Sequence, residues 1–143
     1  MERVVETRSP AETLALGRAL AAELRPGDVV ALVGPLGAGK TLLVGAIVEG
    51  LGGDPSRVAS PTFALIHEYA AERMPVYHFD AYRLESEAEF HKLGVEEYFA
   101  GDGVCLVEWA DRVPGALPDR HWRIRIEPAD DTTRRIAVQP PSA

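Results

Sequence analysis

Apolar residues along this chain repeat with three different spacings, and each spacing predicts a different element. Leu16, Leu20 and Leu24, with Thr13 and Gly17, fall on one face at helical spacing. Ser9-Pro10-Ala11-Glu12 precedes them, an N-cap hydroxyl, a proline at the first helical position and a carboxylate able to reach back. A helix from Pro10 to Leu24 is predicted, closed by the turn residues Pro26-Gly27-Asp28. Leu43, Ile47 and Leu51 mark a second helix that Gly52-Gly53 stops.

Val29 to Val33 and Gly103 to Val107 are apolar without alternation, as expected of strands covered on both faces. Trp122 to Glu127 and Arg135 to Val138 alternate instead, predicting a closing hairpin near a sheet edge with its turn at Asp130-Asp131. Phe63 to Tyr69 and Val76 to Asp80 follow one another with only a polar turn around Glu72-Arg73, so an antiparallel pair beside a parallel core is expected. Glu2 to Thr7 reads as a short strand or an extended arm, and Asp54 to Pro61 as a loop. Ser86 to Leu93 reads as a short acidic helix, Val95 to Ala100 as a further helical turn, and 139–143 as a loose tail. The sum is one α/β domain over 1–138, with three layers around a mixed sheet.

Between the strand ending at Val33 and the second helix stands Gly34-Pro35-Leu36-Gly37-Ala38-Gly39-Lys40-Thr41, which fits the phosphate-binding loop G-x-x-x-x-G-K-[ST]. The glycines let backbone N–H groups converge on an oxyanion. Lys40 brings a point charge to the β and γ phosphates, and the Thr41 hydroxyl is a hard oxygen suited to Mg²⁺. Thirteen arginines accompany only two lysines, Lys40 and Lys92, and one of the two sits where an arginine fork would not substitute. The domain is therefore expected to have a P-loop NTPase-like fold and to bind a nucleotide.

A phosphate loop needs an acidic partner at the end of a neighbouring strand. Glu108 follows the apolar run Val104 to Val107, and Asp80 ends Val76 to Phe79. One serves the metal and the other the attacking water or an outer position, and the sequence leaves the assignment open. Ser60-Pro61-Thr62 occupies the connection that often senses the γ-phosphate through a hydroxyl; it is equally a turn that starts the next strand. Tyr82 and Arg83 follow Asp80 closely enough to line the same cleft. His67, His78, His91 and His121 share no ligand spacing with each other or with Cys105, which argues against zinc. His78 reads as a core or hydrogen-bonded residue, and Cys105 as a buried thiol. No guanine-reading N-K-x-D or T-K-x-D occurs, so ATP is the expected nucleotide.

A net charge of −7 argues against autonomous nucleic-acid binding. No apolar run approaches the roughly 18 residues of a membrane span, and no leader pattern is present, so a cytoplasmic location is expected.

Taken together, Gly34 to Thr41, Ser60-Pro61-Thr62-Phe63, His78-Phe79-Asp80-Ala81-Tyr82-Arg83-Leu84 and Leu106-Val107-Glu108-Trp109 resemble the TsaE (formerly YjeE) family over about Val4 to Val138. Glu12 to Gly17 also fits. The resemblance implies a small ATPase that binds ATP and Mg²⁺ and hydrolyses slowly. It further implies that TsaD and TsaB are partners in threonylcarbamoylation of the adenosine beside the anticodon in tRNAs reading A-starting codons. The transfer itself would belong to TsaD, and tRNA would be met only through the complex. By position, Leu36, Gly37, Ala38, Gly39, Lys40, Thr41 and the adjoining Leu42 would hold the phosphates, with Thr41 and Glu108 on the metal. Lys40, Asp80 and Glu108 become the candidate catalytic residues, Ser60 and Thr62 the switch, and Trp109 a neighbour of the nucleotide. Pro10, Thr13 and Arg134 would flank the adenine. Pro35 stands where the family often has Asp, and Leu42 where it often has a second Thr. A small-molecule kinase is the competing reading. It would need an arginine-rich helical lid, which the segment after Glu108 does not resemble.

Overall fold

The structure, a computed structural model, describes residues 2–35, 39–58, 66–82, 84 and 86–141. Among these residues seven strands form one sheet: β1 (Arg3–Thr7), β2 (Val29–Val33), β3 (Ile66–Tyr69), β4 (Val76–Asp80), β5 (Val104–Glu108), β6 (Trp122–Pro128) and β7 (Arg134–Gln139). Their spatial order is β1-β7-β6-β2-β5-β4-β3. The inner strands β6, β2, β5 and β4 are parallel, while β3 pairs antiparallel with β4, and β7 with both β6 and β1. This is the mixed sheet the patterning predicts. Glu2 to Thr7 proves to contain an edge strand rather than an arm, because its backbone completes the ladder of β7.

Among the described residues four helices cover the sheet: α1 (Pro10–Ala21) and α2 (Lys40–Gly50) on one face, α3 (Glu87–Lys92) and α4 (Val95–Phe99) on the other. Leu20, Leu43, Ile47 and Leu51 pack on Val30, Leu32, Leu106 and Ile124. Phe79, Phe90, Val95, Val107 and Val29 form the second core. With both faces sealed, every residue of β2 and β5 is buried, which is why their sequences carry no alternation. The hairpin strand β6 is covered on one face only, and Arg123 and Arg125 alternate outward from it.

Several boundaries differ from the sequence reading. Helix α1 stops three residues early, at Ala21, because the Arg73 guanidinium takes the carbonyls of Ala21 and Leu24 at 2.7 and 3.1 Å. Among its described residues the loop after α2 contains one 3-10 turn, Pro55–Arg57, whose Ser56 N–H donates to Asp54 at 2.9 Å. Strand β5 is displaced by one residue to include Glu108, which stays in register with Leu32 and Asp80. Strand β7 runs one residue further, to Gln139 opposite Arg123.

The two helices of the first layer touch through small residues. A Cβ at Gly17 would lie 2.4 Å from Ala46 Cβ, so the absence of a side chain is what allows α1 to approach α2. Their starts are thereby held side by side.

Candidate active site

The site grows from the end of β2. After Val33 the chain leaves the sheet through Gly34, and Gly39 is the N-cap of α2, with φ 105° and ψ 18°. That left-handed backbone favours glycine, and no side chain caps the helix. The first N–H groups of α2 are therefore available to an anion, together with the helix dipole. Leu36, Gly37 and Ala38 lie outside the described residues, as do Ser60, Thr62 and Arg83.

Lys40, the first residue of α2, is buried at 5% exposure. Its ammonium donates to the Gly34 carbonyl and lies 3.6 Å from the centroid of the Trp109 ring. Burial pulls the Lys40 ammonium below its ordinary pKa, while the carboxylates of Glu108, Asp111 and Asp80 push the other way. Thr41 is half-buried in the same turn, beside a groove formed with Leu14, Gly45, Pro55 and Val58.

Asp80 and Glu108 sit directly opposite one another at the carboxyl ends of β4 and β5. Strand alternation puts them on the face occupied by α2, since Val76 and Leu106, at even spacing from each, belong to that core. Asp80 is half-buried and accepts the Tyr82 N–H at 2.8 Å. Its carboxyl is raised above the usual range, first by burial and then by the Glu108 charge, against the opposing Tyr82 hydrogen bond, His78 and Lys40. Glu108 is 3% exposed and accepts from His78 Nε2 at 2.5 Å. His78 is therefore the hydrogen-bonded core residue its place on a strand suggests.

Immediately after Glu108, Trp109 adopts φ 58°, the only left-handed non-glycine backbone among the described residues. That turn lays its ring against Tyr82 at 4.8 Å between centroids, with the Arg112 guanidinium 5.0 Å from the Tyr82 ring. A cation–aromatic stack therefore runs from Lys40 through Trp109 and Tyr82 to exposed Arg112.

On the other side of the α2 start is a cavity of about 220 Å³, lined by Ser9, Pro10, Thr13, Gly39, Leu42, Asp131, Thr132 and Arg134. Pro10, Thr13, Leu42 and Arg134, far apart in sequence, meet here. Thr13 is anchored by a 2.7 Å hydrogen bond between its hydroxyl and that of Thr7. The Arg134 guanidinium donates to the carbonyls of Asp130 and Thr133 at 3.0 and 3.1 Å. Sequence reasoning missed Ser9, Asp131 and Thr132 in this cavity and Asp111 in the field of Lys40. Short polar residues in turns carry no signal until the turn is placed.

No group of three or more His, Cys, Asp or Glu side chains able to hold a metal occurs among the described residues. The donor set is the Thr41 hydroxyl and the paired carboxylates of Asp80 and Glu108 beside the start of α2. Such a set suits a cation that keeps its own waters and arrives with phosphate oxygens, as Mg²⁺ does on a nucleotide.

Fold and site together define an α/β protein of P-loop NTPase-like architecture. The profile of a family described as threonylcarbamoyl adenosine biosynthesis protein TsaE matches residues 7–136. A protein of Bacillus subtilis strain 168, named tRNA threonylcarbamoyladenosine biosynthesis protein TsaE, is 48% identical over 130 residues, spanning 91% of this chain and 80% of its own. One of the same name from Treponema pallidum is 39% identical across 92% of this chain and 96% of its own. The crystal structure of Bacillus subtilis YdiB superimposes with a TM-score of 0.82 at 38% identity, covering 99% of this chain and 87% of that one. The chain belongs to the TsaE family. No helix of the described residues is long and apolar enough to cross a membrane.

Proposed function

We propose that this chain is the ATP-binding, slowly hydrolysing subunit of the system that attaches threonylcarbamoyl to the adenosine beside the anticodon of tRNAs reading A-starting codons. It acts in the cytoplasm with TsaD and TsaB, TsaD performs the transfer, and tRNA is met through the complex. Relatives named for threonylcarbamoyladenosine biosynthesis support the pathway. The observation that carries the ATPase reading is the in-register pair Asp80 and Glu108, facing the helix that Lys40 begins.

In this reading Gly39, Lys40, Thr41 and Leu42, with 36–38 before them, hold the phosphates. Pro10, Thr13 and Arg134 flank the base, and Trp109 lies beside the nucleotide. Thr41 and Glu108 hold Mg²⁺, which neutralises charge on the β and γ phosphates when bound. Lys40 supplies fixed positive charge where negative charge gathers. Asp80 orients the attacking water, and its raised pKa marks a carboxylate whose desolvation favours accepting a hydrogen bond or a proton. Thr62, with Ser60, is the proposed switch.

The test is ATP hydrolysis by the purified chain, alone and with TsaB and TsaD. Slow turnover that the partners raise is expected. A rate indifferent to them but raised by a small hydroxylated acceptor would instead identify a kinase.

A further inference from the structure

Glu108 is a nearly dry carboxylate, and such a group does not orient itself. The oxygen Oε2 is held by His78 Nε2 at 2.5 Å, and the His78 ring is fully buried. On its other side, His78 Nδ1 lies 3.2 Å from the Tyr69 hydroxyl, and that hydroxyl lies 3.2 Å from His67 Nδ1. The Tyr69 and His78 rings pack at 5.9 Å between centroids, so His78 cannot turn without losing a hydrogen bond at each end. The contacts step across three neighbouring strands, β5, β4 and β3, on the side of the sheet that α2 covers.

An ionised carboxylate has no proton to give, so Nε2 donates. Nδ1 of His78 shares a hydrogen bond with the Tyr69 hydroxyl, which in turn meets His67 Nδ1. The chain of hydrogen bonds ends on Glu108. A simple core plug would need no such chain; an apolar residue at position 78 would fill the space.

We propose that His78 and Tyr69 are positioning residues for Glu108: they commit one carboxylate oxygen to the protein and leave the rest of the group oriented for the divalent cation that accompanies the nucleotide. This inference rests on the function proposed above and adds the outer residues of that site. Groups that orient a metal-binding carboxylate typically change metal affinity by about 10–100-fold when lost.

The experiment measures Mn²⁺ affinity in the protein–ADP complex by electron paramagnetic resonance, and ADP affinity in EDTA. It compares wild type with Tyr69→Phe, His78→Leu and His78→Gln. Tyr69→Phe should weaken Mn²⁺ several-fold and His78→Leu by roughly 10–100-fold. His78→Gln, which returns an N–H donor, should recover most of the loss. ADP affinity without metal should be unchanged throughout. A purely structural role predicts equal losses with and without metal, or none. Either outcome overturns the proposal, and Tyr69→Phe alone decides it if the leucine variant does not fold. Nitrogen-15 spectra of the free protein give an independent reading. A proton on Nε2 of His78 is expected, and an unprotonated Nε2 overturns the assignment. Failure of wild type to bind Mn²⁺ with ADP removes the proposed function along with this inference. Wild-type binding that the variants leave unchanged removes this inference alone.

Discussion

Lys40 and Asp80 both carry charges that burial disfavours. The Lys40 ammonium is buried, yet it finds the Gly34 carbonyl and the Trp109 face. Replacing it with alanine removes the positive charge at the start of α2, and Lys40→Ala should abolish ATP binding measured by calorimetry. Asp80 is likewise held in an environment that disfavours its charge. A carboxyl whose folded-state pKa is raised contributes stability below its unfolded value, and loses that contribution as pH rises through the folded value. At neutral pH the Asp80 charge therefore costs stability. Asp80→Asn should raise the melting temperature by roughly 1–2 °C while lowering turnover. The gap in melting temperature should close as pH falls through the raised value toward the ordinary range near 3.9. That Lys40, Asp80 and Glu108 converge could be anticipated from sequence, because each is marked by local context, a glycine loop or the end of an apolar run. Tyr69 and His78 were not visible as partners of Glu108, since only the register of β3, β4 and β5 aligns them.

At the level of elements, the seam between α1 and α2 decides how the site is assembled. Gly17 in place of alanine costs α1 about 1 kcal/mol of helix propensity. That loss is outweighed by the close approach it permits, since a Cβ there meets Ala46 Cβ at 2.4 Å. Ala46 Cβ is fixed by its own backbone and cannot swing aside, so Gly17→Ala should be net destabilising by about 1 kcal/mol or more. Ala46→Gly in the same chain should recover part of the loss in thermal unfolding. Helix and strand identities were legible along the chain because periodicity directly reflects which faces are covered. The end of α1 was not, because it is set by Arg73, some fifty residues away.

For the molecule as a whole, the net charge of −7 works against the phosphate backbone of RNA. Binding of tRNA by the isolated chain should be weak at moderate salt in a filter or anisotropy assay. Tight, strongly salt-dependent binding would contradict the reading in which tRNA is met through partners. The overall architecture could be anticipated because β2 and β5 carry the signature of central strands. The cavity beside Pro10 and Thr13 could not be outlined fully, since it is closed by the β6–β7 turn folding back over two helix starts. The stack built on the unusual backbone of Trp109 has an optical consequence. This chain has two tryptophans, and they see different surroundings. The Trp122 indole is buried and donates to Asp28 at 3.3 Å, whereas the Trp109 indole lies against the Lys40 ammonium. Any ligand that draws Lys40 toward itself strips a charge from one chromophore and leaves the other untouched. The protein thus carries its own fluorophore for occupancy of the site, and its emission should shift on loading without any added label.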